Sequence, residues 1–332
     1  MLIVLCSQVN AQSKAPASAI YKVVELPLRP LYISDSGEVV GMVQDIHPSD
    51  KGAVLGTAKR YAAVWTEKDG LRLLPSLKGY SESEARGVNQ TGHAVGWAMD
   101  ASNEKGPQAF IYENGRLIAL RGRNSKALAI NDSEEVVGQA AVKGKKPVMP
   151  VLWRKGSIVD LGGCCGGVAN AINQRGQVVG DMYDQKGQYR AFLWDRSHGI
   201  SYFGVADNDS SAVSINERGH VLVQEFENGI FVYEGQGKAV RVKIPSAMPV
   251  QVRAINDADV VVGNCGPFSD VAVAFSWDEK NGYRDLNNLI PADSGWKLQI
   301  AVSINNFGQI VGTGLHDERN DTGYLLLPKD SH

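Results

Sequence analysis

Residues 172–180 read Ile-Asn-Gln-Arg-Gly-Gln-Val-Val-Gly, and this nonapeptide decides the fold because it recurs. The other copies are 33–41 (ISDSGEVVG), 88–96 (VNQTGHAVG), 130–138 (INDSEEVVG), 215–223 (INERGHVLV), 255–263 (INDADVVVG) and 304–312 (INNFGQIVG). Counted from the Asn-equivalent positions 34, 89, 131, 173, 216, 256 and 305, the separations are 55, 42, 42, 43, 40 and 49 residues. Repeats of this length are the size of a propeller blade. Asn followed by Asp or Gln, with Gly two positions later, is hairpin chemistry: the Asn side chain closes the turn while Gly takes a positive φ.

Working outward, each nonapeptide is followed by an aromatic-aliphatic run: 61–65 (YAAVW), 109–112 (AFIY), 150–153 (PVLW), 191–194 (AFLW), 230–233 (IFVY), 274–277 (AFSW) and 324–327 (YLLL). Short alternating runs of β-branched and aromatic residues between turn signals read as strands. A Gly-led run follows, as in 70–74 (GLRLL) and 156–161 (GSIVDL). Each unit therefore has four strands: a, a small-residue lead-in ending at Ile-Asn; b, the Val-Val-Gly run; c, the aromatic run; and d, the Gly-led run. The seventh unit ends at Leu327-Pro328 without a strand d, whereas 19–26 (AIYKVVEL) precedes the first unit as an orphan one. The expected fold is all-β: a seven-bladed propeller of four-stranded antiparallel blades over residues 18–328, closed by the N-terminal strand.

Outside the propeller, Leu2 to Cys6 is the most apolar stretch and leads to a small-x-small pattern ending at Ala11. Residues 1–11 read as a signal peptide with a late or truncated start, 12–17 as a linker and 329–332 as a tail. No window has the apolar length of a transmembrane helix. Of the 332 residues, 34 are basic and 36 acidic, a formal charge of −2 that provides no global field for nucleic acid.

The motifs INQRGQVVG with AFLW, DLGG before the next repeat, and 285–291 (DLNNLIP) with 294–296 (SGW) resemble the bacterial extracellular HAF-repeat proteins. The resemblance covers nearly the whole mature chain. It implies export and a repeat architecture, and it assigns no activity to any residue. The chain departs from the pattern at Glu134 and Asp259, where the turn glycine is missing, and at Val223, where the closing glycine is lost.

In such blades the a-to-b and c-to-d turns share one face, and here they are short and uniform. The b-to-c and d-to-a connections share the other face and vary, with long segments at 45–60 and 286–298. Binding loops on a rigid scaffold follow this pattern, so the variable face and its axial opening are the expected ligand surface. Arg86, Asn170 and Arg253 occupy equivalent positions before the small residue of strand a, where other copies carry Leu or Val. They suit an anionic or hydroxylated ligand such as an acidic sugar, or else pair with carboxylates between blades. Trp296 in its long loop would stack on a sugar or cover the core edge. Cys164 and Cys165 in LGGCCGG could form a vicinal disulfide platform, or remain two small loop residues.

No catalytic residue is assigned. The six histidines are scattered, with His93 and His220 read as exposed repeat residues and no triad visible. Acidic groups at Asp207/Asp209 and Asp317/Glu318/Asp321 lack a calcium-loop pattern and read as solvated charge, so no metal or cofactor is expected. The sequence thus points to an exported, monomeric binding or interaction module with a glycan, envelope component or protein as partner. A polysaccharide-acting enzyme and a purely structural envelope protein are the alternatives.

Overall fold

A computed structural model describes residues 19–44, 59–100, 102, 104–145, 147–204, 208–235, 237–245, 249–266 and 271–329. The proposed signal peptide and linker, most of the segment 45–60, Asp207 and residues 330–332 of the tail lie outside the described residues. The rest forms seven four-stranded antiparallel sheets arranged as the blades of a propeller. Blade 4 is representative: strand a at Gly167–Ile172, b at Val178–Tyr183, c at Tyr189–Asp195 and d at Gly199–Tyr202.

The ring closes as the repeat count requires. Tyr21–Leu26 pairs antiparallel with Arg319–Pro328, the third strand of blade 7, with Val24 opposite Leu325, and so becomes that blade's strand d. Closure covers the outer edge of that third strand, which would otherwise stand unpaired. The loop after blade 6 packs against the closing strand at the seam between blades 6 and 7. A short 3-10 turn, Leu286–Leu289, buries Leu286 and Leu289 against Tyr21, and Asn287 clasps Leu298 through both its N–H and its carbonyl, at 2.7 and 3.0 Å. The family-like motif DLNNLIP is thus a seam.

Apolar side chains gather between blades. Each of the seven seams has its own cluster; the seam between blades 1 and 2, for example, packs Val40, Ala62 and Val64 against Ala85, Val88 and Phe110. The aromatic c strands supply the wedges, since Phe110, Phe192, Phe275 and Tyr324 are fully buried. Stability is therefore built from neighbour-to-neighbour interfaces.

All seven a-to-b turns are superimposable in their bonding: the N–H of the Asn-equivalent residue reaches the carbonyl four residues on at 3.0–3.2 Å. Five copies place Gly at the positive-φ position, while Glu134 and Asp259 adopt it with φ of 58° and 56°. The closing glycine of strand b has a different reason. In six blades a Cβ there would fall on a carbonyl oxygen of strand a, as Gly138 would on Lys126 and Gly180 on Val168. Blade 5 keeps the same register with Val223, so the glycine answers a local close approach and not the strand pairing itself.

Candidate functional site

The close approach at strand a comes from a β-bulge present in every blade. Pairing with strand b skips one residue between Pro30 and Tyr32, Ala85 and Gly87, Ala127 and Ala129, Ala169 and Ala171, Ala212 and Ser214, Val252 and Ala254, and Ala301 and Ser303. The skipped residues are Leu31, Arg86, Leu128, Asn170, Val213, Arg253 and Val302, and all seven line the axial channel. A bulge re-aims a side chain, and seven of them turn one residue per blade toward the axis. The channel encloses about 810 Å³, the volume of a site for a drug-sized ligand.

Three of the six residues singled out from sequence therefore meet in the channel: Arg86, Asn170 and Arg253. Arg29, two positions before the bulge of blade 1, joins them. The strand direction puts this group toward the variable-loop mouth. Arg86 is held by Glu84 of its own strand at 2.8 Å, Arg253 donates to Gln251 at 2.7 Å, and Arg29 reaches Asp321 at 2.7 Å. Pairing within a blade, and not across blades, is thus the rule for Arg86. Burial, and then the positive charge of Arg86 and Arg29, holds the Arg253 guanidinium below its ordinary value.

Asn170 is positioned from behind. Its amide donates to Asp181 at 2.8 Å and to the Ala212 carbonyl at 3.0 Å. Asp181 is buried and also accepts from Ser211 at 2.6 Å and from the Tyr189 hydroxyl. Burial raises the Asp181 carboxyl above the usual range, partly offset by these three donors.

Below the bulge lies a ring of small residues, Gly87, Ala129, Ala171, Ser214, Ala254 and Ser303, interrupted by Tyr32. Enclosure, then the negative charge of Asp35, Glu217 and Asp132, pushes the Tyr32 hydroxyl up to about 12. Tyr32 was missed in the sequence, although an aromatic at the small-residue position of strand a was its signal. The opposite mouth carries Asp35, Asp132, Glu217 and Asp257, each accepting a backbone N–H from the preceding blade at 2.7–3.2 Å. The channel is therefore cationic at the variable-loop end and anionic at the other.

The remaining predicted residues lie elsewhere. Trp296 begins strand a of blade 7 but stacks on His316, with ring centroids 4.2 Å apart and planes within 3°, and does not line the channel. Cys164 and Cys165 are joined as a vicinal disulfide on the variable-loop side, with Cys164 Sγ 3.0 Å from the Asp184 carbonyl oxygen; they too stand off the channel wall. Cys265 is buried in the blade 5–6 seam. Asp321 is engaged by Arg29. His93 and His220 are not exposed repeat residues: they sit partly buried at blade seams, with Nδ1 at 3.0 Å from Glu134 and 2.9 Å from Asp259 respectively. Burial and pairing across blades were invisible within one repeat. None of the described histidines lines the channel.

No family model matches the sequence, and no curated protein does. Solved structures do. The β-propeller domain of the Trilobed protease from Pyrococcus furiosus is 10% identical with a TM-score of 0.61, covering 94% of this chain and 96% of that one; it is described as having an open velcro topology. The WD40 propeller domain of Doa1 is 13% identical with a TM-score of 0.57, over 94% and 98% of the two chains. Streptogramin B lyase is 10% identical with a TM-score of 0.55, over 94% and 100%. The class is thereby settled as a seven-bladed β-propeller of four-stranded blades, and at these identities the likeness extends to the fold alone.

Proposed function

We propose that this protein is an exported, non-catalytic binding module that takes an anionic, hydroxyl-bearing ligand, such as an acidic sugar, into the arginine-lined mouth of its axial channel. The observation that carries the reading is the convergence of Arg29, Arg86 and Arg253 on one end of that channel, beside the amide of Asn170. Guanidinium groups recognise carboxylates through paired N–H donors, and an enclosed mouth strengthens such bonds. The mutual repulsion felt at Arg253 is relieved when an anion binds. Export is supported by the apolar stretch at Leu2 to Cys6 with its small-x-small pattern and by the resemblance to HAF-repeat proteins. The neighbours in fold include a protease domain, a lyase and a WD40 domain, so the architecture alone does not choose a function.

The test is a glycan array probed with the mature chain, then with Arg86→Ala and Arg253→Ala. Glycans bearing uronates should be retained, and either substitution should weaken binding by roughly ten- to a hundredfold, the worth of a hydrogen bond to a charged group. Equal retention of neutral glycans, or variants that bind as well as the parent, would overturn the reading. Shortening of the carbohydrate during incubation would favour a polysaccharide-acting enzyme instead.

A further inference from the structure

We propose that His93, Glu113 and Glu134 form a site for a borderline divalent transition ion, Zn²⁺ being the probe of choice, at the seam between blades 2 and 3. The site lies on the short-turn face, away from the arginine mouth, and does not depend on the ligand proposed above.

The repeat follows a rule across its seams. The residue after the turn glycine packs against the turn glycine of the next blade: a Cβ on Gly176 would stand 3.0 Å from Glu135 Oε2, and one on Gly92 would stand 3.6 Å from Glu38 Oε1. At four seams a carboxylate or amide in one blade thus meets a bare glycine in the next, and at the seam between blades 6 and 7 Val260 holds that position. The pattern inverts at two seams only, and these are the two where the glycine is lost. His93 faces Glu134, and His220 faces Asp259. An imidazole in one blade has exchanged with an acid in the next.

At the first of these seams a third group arrives. Glu113 ends strand c of blade 2 (Gln108–Glu113), and the donor atoms of His93, Glu113 and Glu134 all lie within 4.8 Å of one another. Nδ1 of His93 is shielded from solvent, and Glu134 approaches it to 3.0 Å without the in-line geometry of a hydrogen bond. A carboxylate oxygen close to a ring nitrogen but off its axis is the arrangement expected of two ligands that share an ion.

The second seam is an internal comparison. There Arg218 reaches Asp259 at 3.0 Å and Lys238 reaches Glu234, the counterpart of Glu113, at 2.6 Å. Cationic side chains supply the positive charge. At the first seam Thr91 stands where Arg218 stands, and among the described residues no Lys or Arg ion pair reaches Glu113 or Glu134. A divalent ion supplies the missing charge.

One imidazole nitrogen with two carboxylate oxygens suits Zn²⁺ and its first-row neighbours, whereas calcium and magnesium prefer oxygen alone. Donors around a tetrahedral zinc ion with bonds of about 2.0–2.2 Å stand about 3.3–3.6 Å apart, so the more widely spaced of these donors, which lie within 4.8 Å, draw together on binding and water completes the shell.

The experiment uses a tag-free mature chain, stripped with chelator and titrated calorimetrically with ZnCl₂, with Glu134→Gly as the principal variant. That substitution installs the residue the repeat carries elsewhere, so the fold is kept while a ligand is lost. One ion per chain should bind, with affinity reduced at least tenfold in Glu134→Gly and His93→Gln and unchanged in His220→Gln. Zinc should also raise the melting temperature of the parent and not of Glu134→Gly, because an ion bound only by the native state stabilises it. Absence of binding, or binding that survives Glu134→Gly unchanged and so marks an adventitious ion only, would overturn the proposal.

Discussion

The side-chain amide of Asn131 donates to the backbone carbonyl of Asn173, 42 residues away in the next blade, at 3.2 Å. The same bond runs from Asn89 to Asn131, Asn173 to Asn216, Asn216 to Asn256, Asn256 to Asn305 and Asn305 to Ser34. Each Asn oxygen meanwhile closes its own turn by accepting two backbone N–H groups, as Asn131 does from Ser133 and Glu135 at 3.1 and 3.0 Å. The repeat asparagine is therefore a turn former and an inter-blade staple at once. The chain of staples stops at blade 1, where Ser34 has no amide to pass on.

Asn131→Ala should remove a buried inter-blade bond and leave two turn N–H groups without their side-chain acceptor. A loss of about 1–3 kcal/mol is expected, read as a lower denaturant midpoint at unchanged slope. Ser34→Asn should move the midpoint the other way by supplying the seventh staple toward Asn89. A Ser34→Asn midpoint below that of the parent would show that the series is complete without it.

Gly138→Ala tests the bulge. Its backbone is not in the left-handed region, so Ala costs nothing in φ, and the penalty comes from the Cβ that would fall on the Lys126 carbonyl. Displacing that strand should cost about 1–3 kcal/mol. Gly144→Ala, with nothing near the added methyl but a φ of +86°, separates backbone strain from contact. An unaltered melting temperature for Gly138→Ala would mean that strand a is free to move outward.

Much of this architecture was legible before any coordinates, because period, strand type and closure are each written locally. The nonapeptide gives the count, the aromatic runs give strand c, and 19–26 announces itself as a strand without a blade. Arg86, Asn170 and Arg253 were legible as a set because they break an aliphatic column. What sequence could not reveal is set by contacts between repeats. Glu134 and His93 each look like a lapse within its own copy, and they explain one another only once blade 3 is laid on blade 2. Trp296 was similarly ambiguous, since its partner His316 lies on the neighbouring strand. The bulge shifts register without changing composition, so the inward aim of the seven skipped residues had no signature in the pattern.

Ring closure should be the weak point of the molecule under acid. Glu25 on the closing strand is gripped by Arg319 at 2.9 and 3.0 Å and by His316 at 2.8 Å. The hydrogen bond from Arg319 first, and then His316, holds the Glu25 carboxyl below its ordinary value of 4.5. A carboxyl lowered in the folded state stabilises above its unfolded value, and that contribution is lost as pH falls through the folded one. Parent and Glu25→Gln should therefore differ in melting temperature at pH 7, and the difference should shrink as pH falls below 4.5 through the lowered folded value. Deleting residues 19–26 should lower the melting temperature further, since the whole strand is then missing from blade 7. A melting-temperature difference that does not shrink at all as pH falls below 4.5 would assign the effect to something other than Glu25.

Asp181 should give the opposite pH slope. Burial raises its carboxyl above the ordinary 3.8, against the pull of Ser211, Tyr189 and Asn170. A carboxyl raised in the folded state favours folding most when protonated, so its contribution is intact below 3.8 and is lost as pH rises through the raised value. Asp181→Asn mimics the protonated form, with an amide in place of the acid and hydroxyl partners at Ser211 and Tyr189 that can either donate or accept. Relative to this variant the parent should lose stability between pH 4 and pH 7, whereas relative to Glu25→Gln it should gain. Because Asp181 holds the amide of Asn170 at 2.8 Å without lining the channel, the variant also reports on positioning. Anion binding at the arginine mouth should weaken by less than in Arg253→Ala, and its pH dependence should flatten. A parent and an Asp181→Asn variant with parallel stability profiles would place the ionisation of Asp181 outside the range in which the fold is stable.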